Sequence, residues 1–139
     1  MATQQDKQKV SEATLQHQVV YLLRTLGYTI MESGKGRSKQ RCAKCGHSSY
    51  ATGWQGNTVG LPDLYIHSIK WPRGVALAIE MKTQTGSVRK EQQELAEKGL
   101  VFICRSVGCV INALIQQERQ LNNDIEVDTL QKVKDINGF

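Results

Sequence analysis

Gly60-Leu61-Pro62-Asp63-Leu64-Tyr65-Ile66 and Val75-Ala76-Leu77-Ala78-Ile79-Glu80-Met81-Lys82 are two short apolar runs, each of strand length, that carry charge at their ends. An acid opens the first, and an acid-x-lysine triplet closes the second. With a side-chain period of two, Glu80 and Lys82 project to one face and Met81 to the other. If the two strands lie side by side, Asp63 and Glu80 converge on a hard cation such as Mg2+, which takes oxygen ligands and keeps several waters. The Lys82 ammonium then stands within reach of one of those waters. A metal and an ammonium beside two carboxylates suit an anionic substrate, because both offset the charge that builds up when water attacks a phosphodiester. A structural salt bridge between Glu80 and Lys82 is the rival reading, and it leaves Asp63 unexplained.

The connection between the runs, His67-Ser68-Ile69-Lys70-Trp71-Pro72-Arg73-Gly74, has the Pro and Gly punctuation of a hairpin. His67 alternates with Tyr65 and Asp63, which places it either on the acid's face or simply at a strand end. Upstream, Leu15, Val19, Leu22, Leu23 and Leu26 recur at helical intervals, with Ser11 as N-cap and Gly27 as stop. Glu12 falls in the first turn, where an acid complements the helix dipole, and Gln16 shares its face one turn later. His17 is off that face by one position and reads as surface or helix packing. Downstream of Lys82, a turn at Thr83-Gln84-Thr85-Gly86 leads to Ser87 as N-cap of a helix from Val88 to about Lys98, which carries Glu91-Gln92. Leu100 to Cys104 is a continuous apolar run that predicts a central buried strand. Val107 to Leu121 predicts an amphipathic helix, and Val127 to Ile136 a further short one.

The ordered set Gly60 to Leu64, Ile79 to Lys82 and Glu91-Gln92, preceded by a helix bearing Glu12 and Gln16, resembles the VRR-NUC branch of the PD-(D/E)XK nuclease superfamily. The resemblance covers most of residues 11 to 106. It implies an α/β (α+β) restriction-endonuclease-like core, a mixed central sheet flanked by helices. It also implies a Mg2+- or Mn2+-dependent endonuclease in which Asp63, Glu80 and the backbone carbonyl of Met81 hold the ion. In that scheme Lys82 orients or helps deprotonate the attacking water, Glu12 tunes the metal surroundings, and Gln16 and Gln92 position water or phosphate. Branched DNA such as a Holliday junction is the substrate class the resemblance suggests, with a role in DNA repair or recombination. A homodimer is the expected assembly, because two antiparallel strands present two sites of cleavage.

The formal net charge of +5 is unevenly placed: residues 1–62 hold eight Lys or Arg against three acids, and residues 63–139 hold ten of each. Lys35, Arg37, Lys39, Arg41 and Lys44 are interleaved with Gly and Ser, a composition that either lies along a phosphate backbone or forms a solvated loop. Within the same segment, Cys42-Ala43-Lys44-Cys45-Gly46-His47 is half of a zinc site. Cys42, Cys45 and His47 supply three ligands, and Cys104 or Cys109 would have to arrive through the fold. A redox pair or two free thiols are the other readings. Trp54, in the Gly- and Ser-rich stretch that follows, either stacks on a base or packs against its own domain.

At 139 residues the chain is the size of one domain with a sizeable core. The expected organisation is a leader over 1–10, a nuclease-like domain over 11–122 with the basic Cys-x-x-Cys insertion at about 34–58, and a tail or short helix over 123–139. No apolar run approaches the eighteen or so residues of a membrane span, and no secretion signal is apparent. The expected setting is cytoplasmic or nucleoid-associated rather than secreted, with the four cysteines reduced. The competing class is a non-catalytic nucleic-acid-binding module that uses the basic loop and a zinc-bound cysteine turn.

Overall fold

The computed structural model describes residues 10–33, 39–41, 44, 48–50 and 61–139. Lys35, Arg37, Cys42, Cys45, His47 and Trp54 lie outside the described residues, as do the side chains of Lys39 and Arg41; Lys44 is an exposed turn residue.

The first helix, α1 (Glu12–Thr25), starts where expected. Ser11 Oγ accepts the Thr14 backbone N–H at 3.1 Å, satisfying one of the donors that every helix start leaves open. Gly27 ends the turn at φ +93°, a conformation that costs glycine nothing and other residues about 1–2 kcal/mol. The chain then enters β1 (Thr29–Glu32), and a two-stranded antiparallel ribbon of β2 (Lys39–Arg41) and β3 (Ser48–Tyr50) precedes β4 (Leu64–His67). The order continues with β5 (Leu77–Met81), α2 (Lys90–Glu97), β6 (Phe102–Cys104), α3 (Val107–Gln120) and α4 (Asp124–Asn137).

The result is a mixed α/β architecture around a four-stranded sheet of order β1-β4-β5-β6. The β1/β4 and β4/β5 pairs are antiparallel; β5 and β6 are parallel, joined through α2. The hairpin register pairs Leu64 with Ile79 and Ile66 with Leu77. Those four side chains are buried and share a face, to which α1 adds Leu15, Val19 and Leu23, and α3 adds Val110, Ile111 and Leu114. Burying each such side chain contributes about 1.5–3 kcal/mol, so the two helices are anchored to the same side of the sheet. The helix α4 packs on α3 through Leu130 and is longer than the short element expected there. Its start is tied to the β4–β5 connection by an ion pair between Lys70 and Glu126.

Two expectations are corrected. The run from Leu100 to Cys104 is not a central buried strand: β6 has three residues at the sheet edge, and Phe102 is 41% exposed. A continuous apolar run signals two covered faces, but here only Val101 and Cys104 reach the interior, and among the described residues β6 has a single neighbouring strand. The second correction is the start of α2, which begins at Lys90 with Arg89 as its N-cap rather than at Val88 after Ser87. The reason is Gln92, whose side-chain Oε1 accepts the Arg89 backbone N–H at 3.1 Å and so closes the helix two residues later than the serine would.

A buried carboxylate not singled out in the sequence holds the distal half together. Glu118, on α3, accepts the Tyr28 hydroxyl at 3.0 Å, the Trp71 indole N–H at 2.8 Å and the Asn123 amide at 2.6 Å. Three segments distant along the chain thus meet on one side chain, which is fully buried. Burial, and then the Glu118 charge and hydrogen bond, push the Tyr28 phenol well above its ordinary value.

Candidate metal centre

Asp63 is the residue before β4, and the Leu64–Ile79 pairing brings it beside Glu80. Both its main chain and its side chain are fixed. The Ser33 N–H donates to the Asp63 carbonyl at 2.9 Å, prolonging the β1/β4 ladder. The Asp63 carboxylate in turn accepts the Met81 N–H at 2.9 Å through Oδ2, taking the place of a backbone acceptor where the β4/β5 ladder ends. Ser33 carries no signal in the sequence, because its role depends on a partner thirty residues away.

Glu80 lies on the face of β5 opposite the core side chains, and Lys82 follows it on that face, as the period of two requires. The Lys82 Nζ is 3.5 Å from Glu80 Oε1, and both residues are buried. The Lys82 N–H donates to the Cys104 carbonyl at 2.9 Å, which continues the β5/β6 ladder past the last strand residue and holds the lysine's backbone. The turn that follows is bound by Arg105, whose Nη1 donates to the Thr83 carbonyl at 2.6 Å and the Gly86 carbonyl at 2.8 Å.

Gln92 completes the inner arrangement. Its Nε2 donates to Glu80 Oε1 at 2.7 Å while its Oε1 receives the Arg89 N–H, so the amide sits between a carboxylate and a backbone donor and can be oriented only one way. The same contact that starts α2 therefore also aims Glu80. Gln92 is 4% exposed, far from the surface residue its helix context would suggest.

The third acid comes from α1. Glu12, in the turn that Ser11 caps, places a carboxylate oxygen with those of Asp63 and Glu80 in a group whose members all lie within 4.8 Å of one another. Two oxygens on a common Mg2+ are at most about 4.2 Å apart, so these separations are close to what a shared ion requires. The donor set is oxygen only, and its two deepest members are buried acids beside an ammonium. That chemistry fits a hard divalent cation and not a thiophilic one.

The other expected site residues lie as follows. Gln16 donates to Glu32 Oε1 at 3.0 Å, a contact between α1 and the end of β1 that flanks the carboxylates. Met81 is in the ladder between Glu80 and Lys82 with its side chain in the core. His67 is at the far end of β4, about 13 Å along the strand from Asp63 at the usual rise per residue. It faces Thr29 across the β1/β4 pair, outside the carboxylate group. His17 is exposed on α1. Cys104 is fully buried, with Cys109 adjacent to it. Among the described residues, no helix is long and apolar enough to cross a membrane. No protein-family model, no curated protein and no solved structure matches this chain.

Proposed function

We propose that the chain is a metal-dependent endonuclease that hydrolyses phosphodiester bonds in DNA, built on a restriction-endonuclease-like core. The observation that carries this reading is the convergence of Glu12, Asp63 and Glu80 within 4.8 Å, with the Lys82 ammonium 3.5 Å from Glu80. Glu80 and Asp63 would hold Mg2+ or Mn2+, with Glu12 and the Met81 carbonyl completing the protein's share. When bound, a divalent ion supplies positive charge against the charge developing on phosphate and makes an attacking water more acidic.

The protein's own groups have distinct tasks. Lys82 is a compact cation held at one place by its ladder N–H and by Glu80, so it stabilises negative charge at a fixed position without reorganising. It also orients the water that attacks phosphorus: as the water's oxygen bonds to phosphorus the water gives up a proton, the bond from phosphorus to one sugar oxygen breaks, and that sugar oxygen takes up a proton. Gln92 holds the Glu80 carboxylate in one rotamer, and Asp63 is held likewise by the Met81 N–H. The excess of basic residues before Asp63 supports an acidic polymer as substrate. Branched DNA and a homodimeric assembly are the finer expectations within this reading.

The test is cleavage of single-stranded, duplex, flap and four-way DNA by the purified protein with Mg2+, Mn2+ or EDTA. Metal-dependent cutting is expected on at least one substrate, with Lys82→Ala binding the same DNA but not cutting it. Cleavage by Lys82→Ala at the normal rate refutes the mechanism. Metal-independent DNA binding with no cutting by the wild type, and zinc in the purified protein, would instead favour the non-catalytic binding module.

A further inference from the structure

We propose that Cys104 and Cys109 form a dithiol that peroxide oxidises to a disulfide, a modification site at the junction of β6 and α3. The two Sγ atoms are 2.8 Å apart, and a disulfide bond is about 2.05 Å long, so a closing movement of about 0.8 Å joins them. The two sulfurs are not equivalent. Cys104 is fully buried at the end of β6, whereas Cys109 is half-buried in the first turn of α3. Peroxide therefore has a route to one of them only.

The local structure makes that one the nucleophile. Ser106 caps α3 by accepting the Cys109 N–H at 3.1 Å, which fixes Cys109 in the first turn of a helix, where negative charge is favoured, while its thiol also lies 3.8 Å from the Ile103 carbonyl. The hydrogen bond shared with Cys104, and one with the Arg105 backbone, bring the Cys109 thiol down to about 6, against the opposing effect of burial.

The chemistry balances with hydrogen peroxide as oxidant. The Cys109 thiolate attacks one peroxide oxygen, the O–O bond breaks, and hydroxide leaves, giving a sulfenic acid on Cys109. The Cys104 sulfur then attacks the Cys109 sulfur. The S–O bond breaks, and the departing oxygen takes the Cys104 proton to leave as water. The dithiol loses two electrons and the peroxide gains them. The inference is independent of the proposed nuclease activity, although the site abuts it: the Cys104 carbonyl accepts the Lys82 N–H, and Arg105, between the cysteines, binds the turn after Lys82.

The sequence makes the product easy to detect. Trypsin cuts after Lys98, Arg105 and Arg119, so residues 99–105 and 106–119 separate unless a Cys104–Cys109 disulfide joins them. The reduced full-length protein is exposed to hydrogen peroxide, blocked with an alkylating agent, digested and weighed. The joined peptide pair should become the main form of both peptides and be lost on reduction. In Cys109→Ser, Cys104 should stay reduced at the same dose. In Cys104→Ser, or Cys104→Ala if serine is not tolerated in the core, Cys109 should accumulate as a sulfenic acid that dimedone traps. Two results overturn the proposal: both peptides remaining separate and alkylated under peroxide, or Cys104 oxidising as fast in Cys109→Ser as in the wild type.

Discussion

Replacing Glu80 by Gln keeps the volume and an oxygen for the Gln92 hydrogen bond but removes the charge, so it separates a metal ligand from a structural polar group. At an effective dielectric of about 20, two carboxylates 4.8 Å apart repel by about 3.5 kcal/mol, a cost that a divalent ion placed among them reverses. Metal binding is therefore expected to stabilise the fold. At a Mg2+ concentration of about 100 times Kd, the gain is about 2.7 kcal/mol. Even a group that merely hydrogen-bonds to a metal ligand is worth about 10–100-fold in affinity, so losing a charged ligand costs at least about 100-fold. At the same Mg2+ concentration, Glu80→Gln then gains only about 0.4 kcal/mol. The assay is urea unfolding followed by far-UV circular dichroism, in EDTA and in Mg2+. With a urea m-value of about 1.5–2 kcal/mol/M, the wild-type midpoint should rise by about 1.5 M in Mg2+ and that of Glu80→Gln by about 0.2 M. Equal shifts in the two proteins, or no shift in the wild type at saturating Mg2+, would refute the assignment of Glu80 to a metal.

Gln92→Ala removes a cap contact worth about 1 kcal/mol and a hydrogen bond to a carboxylate worth about 1.5–3 kcal/mol, so thermal or urea unfolding should show a loss of about 2–4 kcal/mol together with reduced cleavage. A change below about 0.5 kcal/mol would show that Gln92 does not hold Glu80. Glu118→Leu strands the buried donors of Tyr28 and Trp71 at about 1–3 kcal/mol each and removes the partner of the half-buried Asn123 amide, so a loss of at least about 2 kcal/mol is expected in the same measurement. Tyr28 binds its proton more tightly folded than unfolded, because its pKa is raised from 10.0 by burial and by Glu118. Between pH 10 and the folded value the native state holds the extra proton, so stability should fall as pH rises past about 10 and be unaffected by this group below it. An ultraviolet titration in which the Tyr28 phenol ionised near pH 10 would refute this.

Much of the frame is legible from residue spacing, because the forces that set it are local. Leu15, Val19 and Leu23 lie along one side of a helix at any tertiary placement, and Ser11 and Gly27 bound that helix through contacts within their own turn. Leu64, Ile66, Leu77 and Ile79 alternate with outward residues in both strands, and the hairpin between them leaves one register that buries all four. That register also places Asp63 beside Glu80.

The lengths of β6 and α2 and the Glu118 contacts were not legible in the same way. An apolar run does not disclose how many neighbours its strand will have, and a glutamine in a charged helix resembles a surface residue until its partners are known. Gln92 meets Glu80 across the β5–α2 turn, Glu118 meets Tyr28 ninety positions away, and the Cys104 and Cys109 sulfurs meet only because β6 passes directly into α3.

Taken alone, the chain's chemistry specifies which residues are acidic, which are apolar and on which side of a helix or strand each falls, since these follow from periodicity and capping within a few residues. The grouping of Glu12 with Asp63 and Glu80, the burial of Lys82 and Gln92, and the identity of the sheet edge were decided by tertiary structure. They depend on packing between segments far apart along the polypeptide, where a shift of one position in strand register would turn Glu80 and Lys82 to the other face and away from Glu12 and Gln92 on their helices.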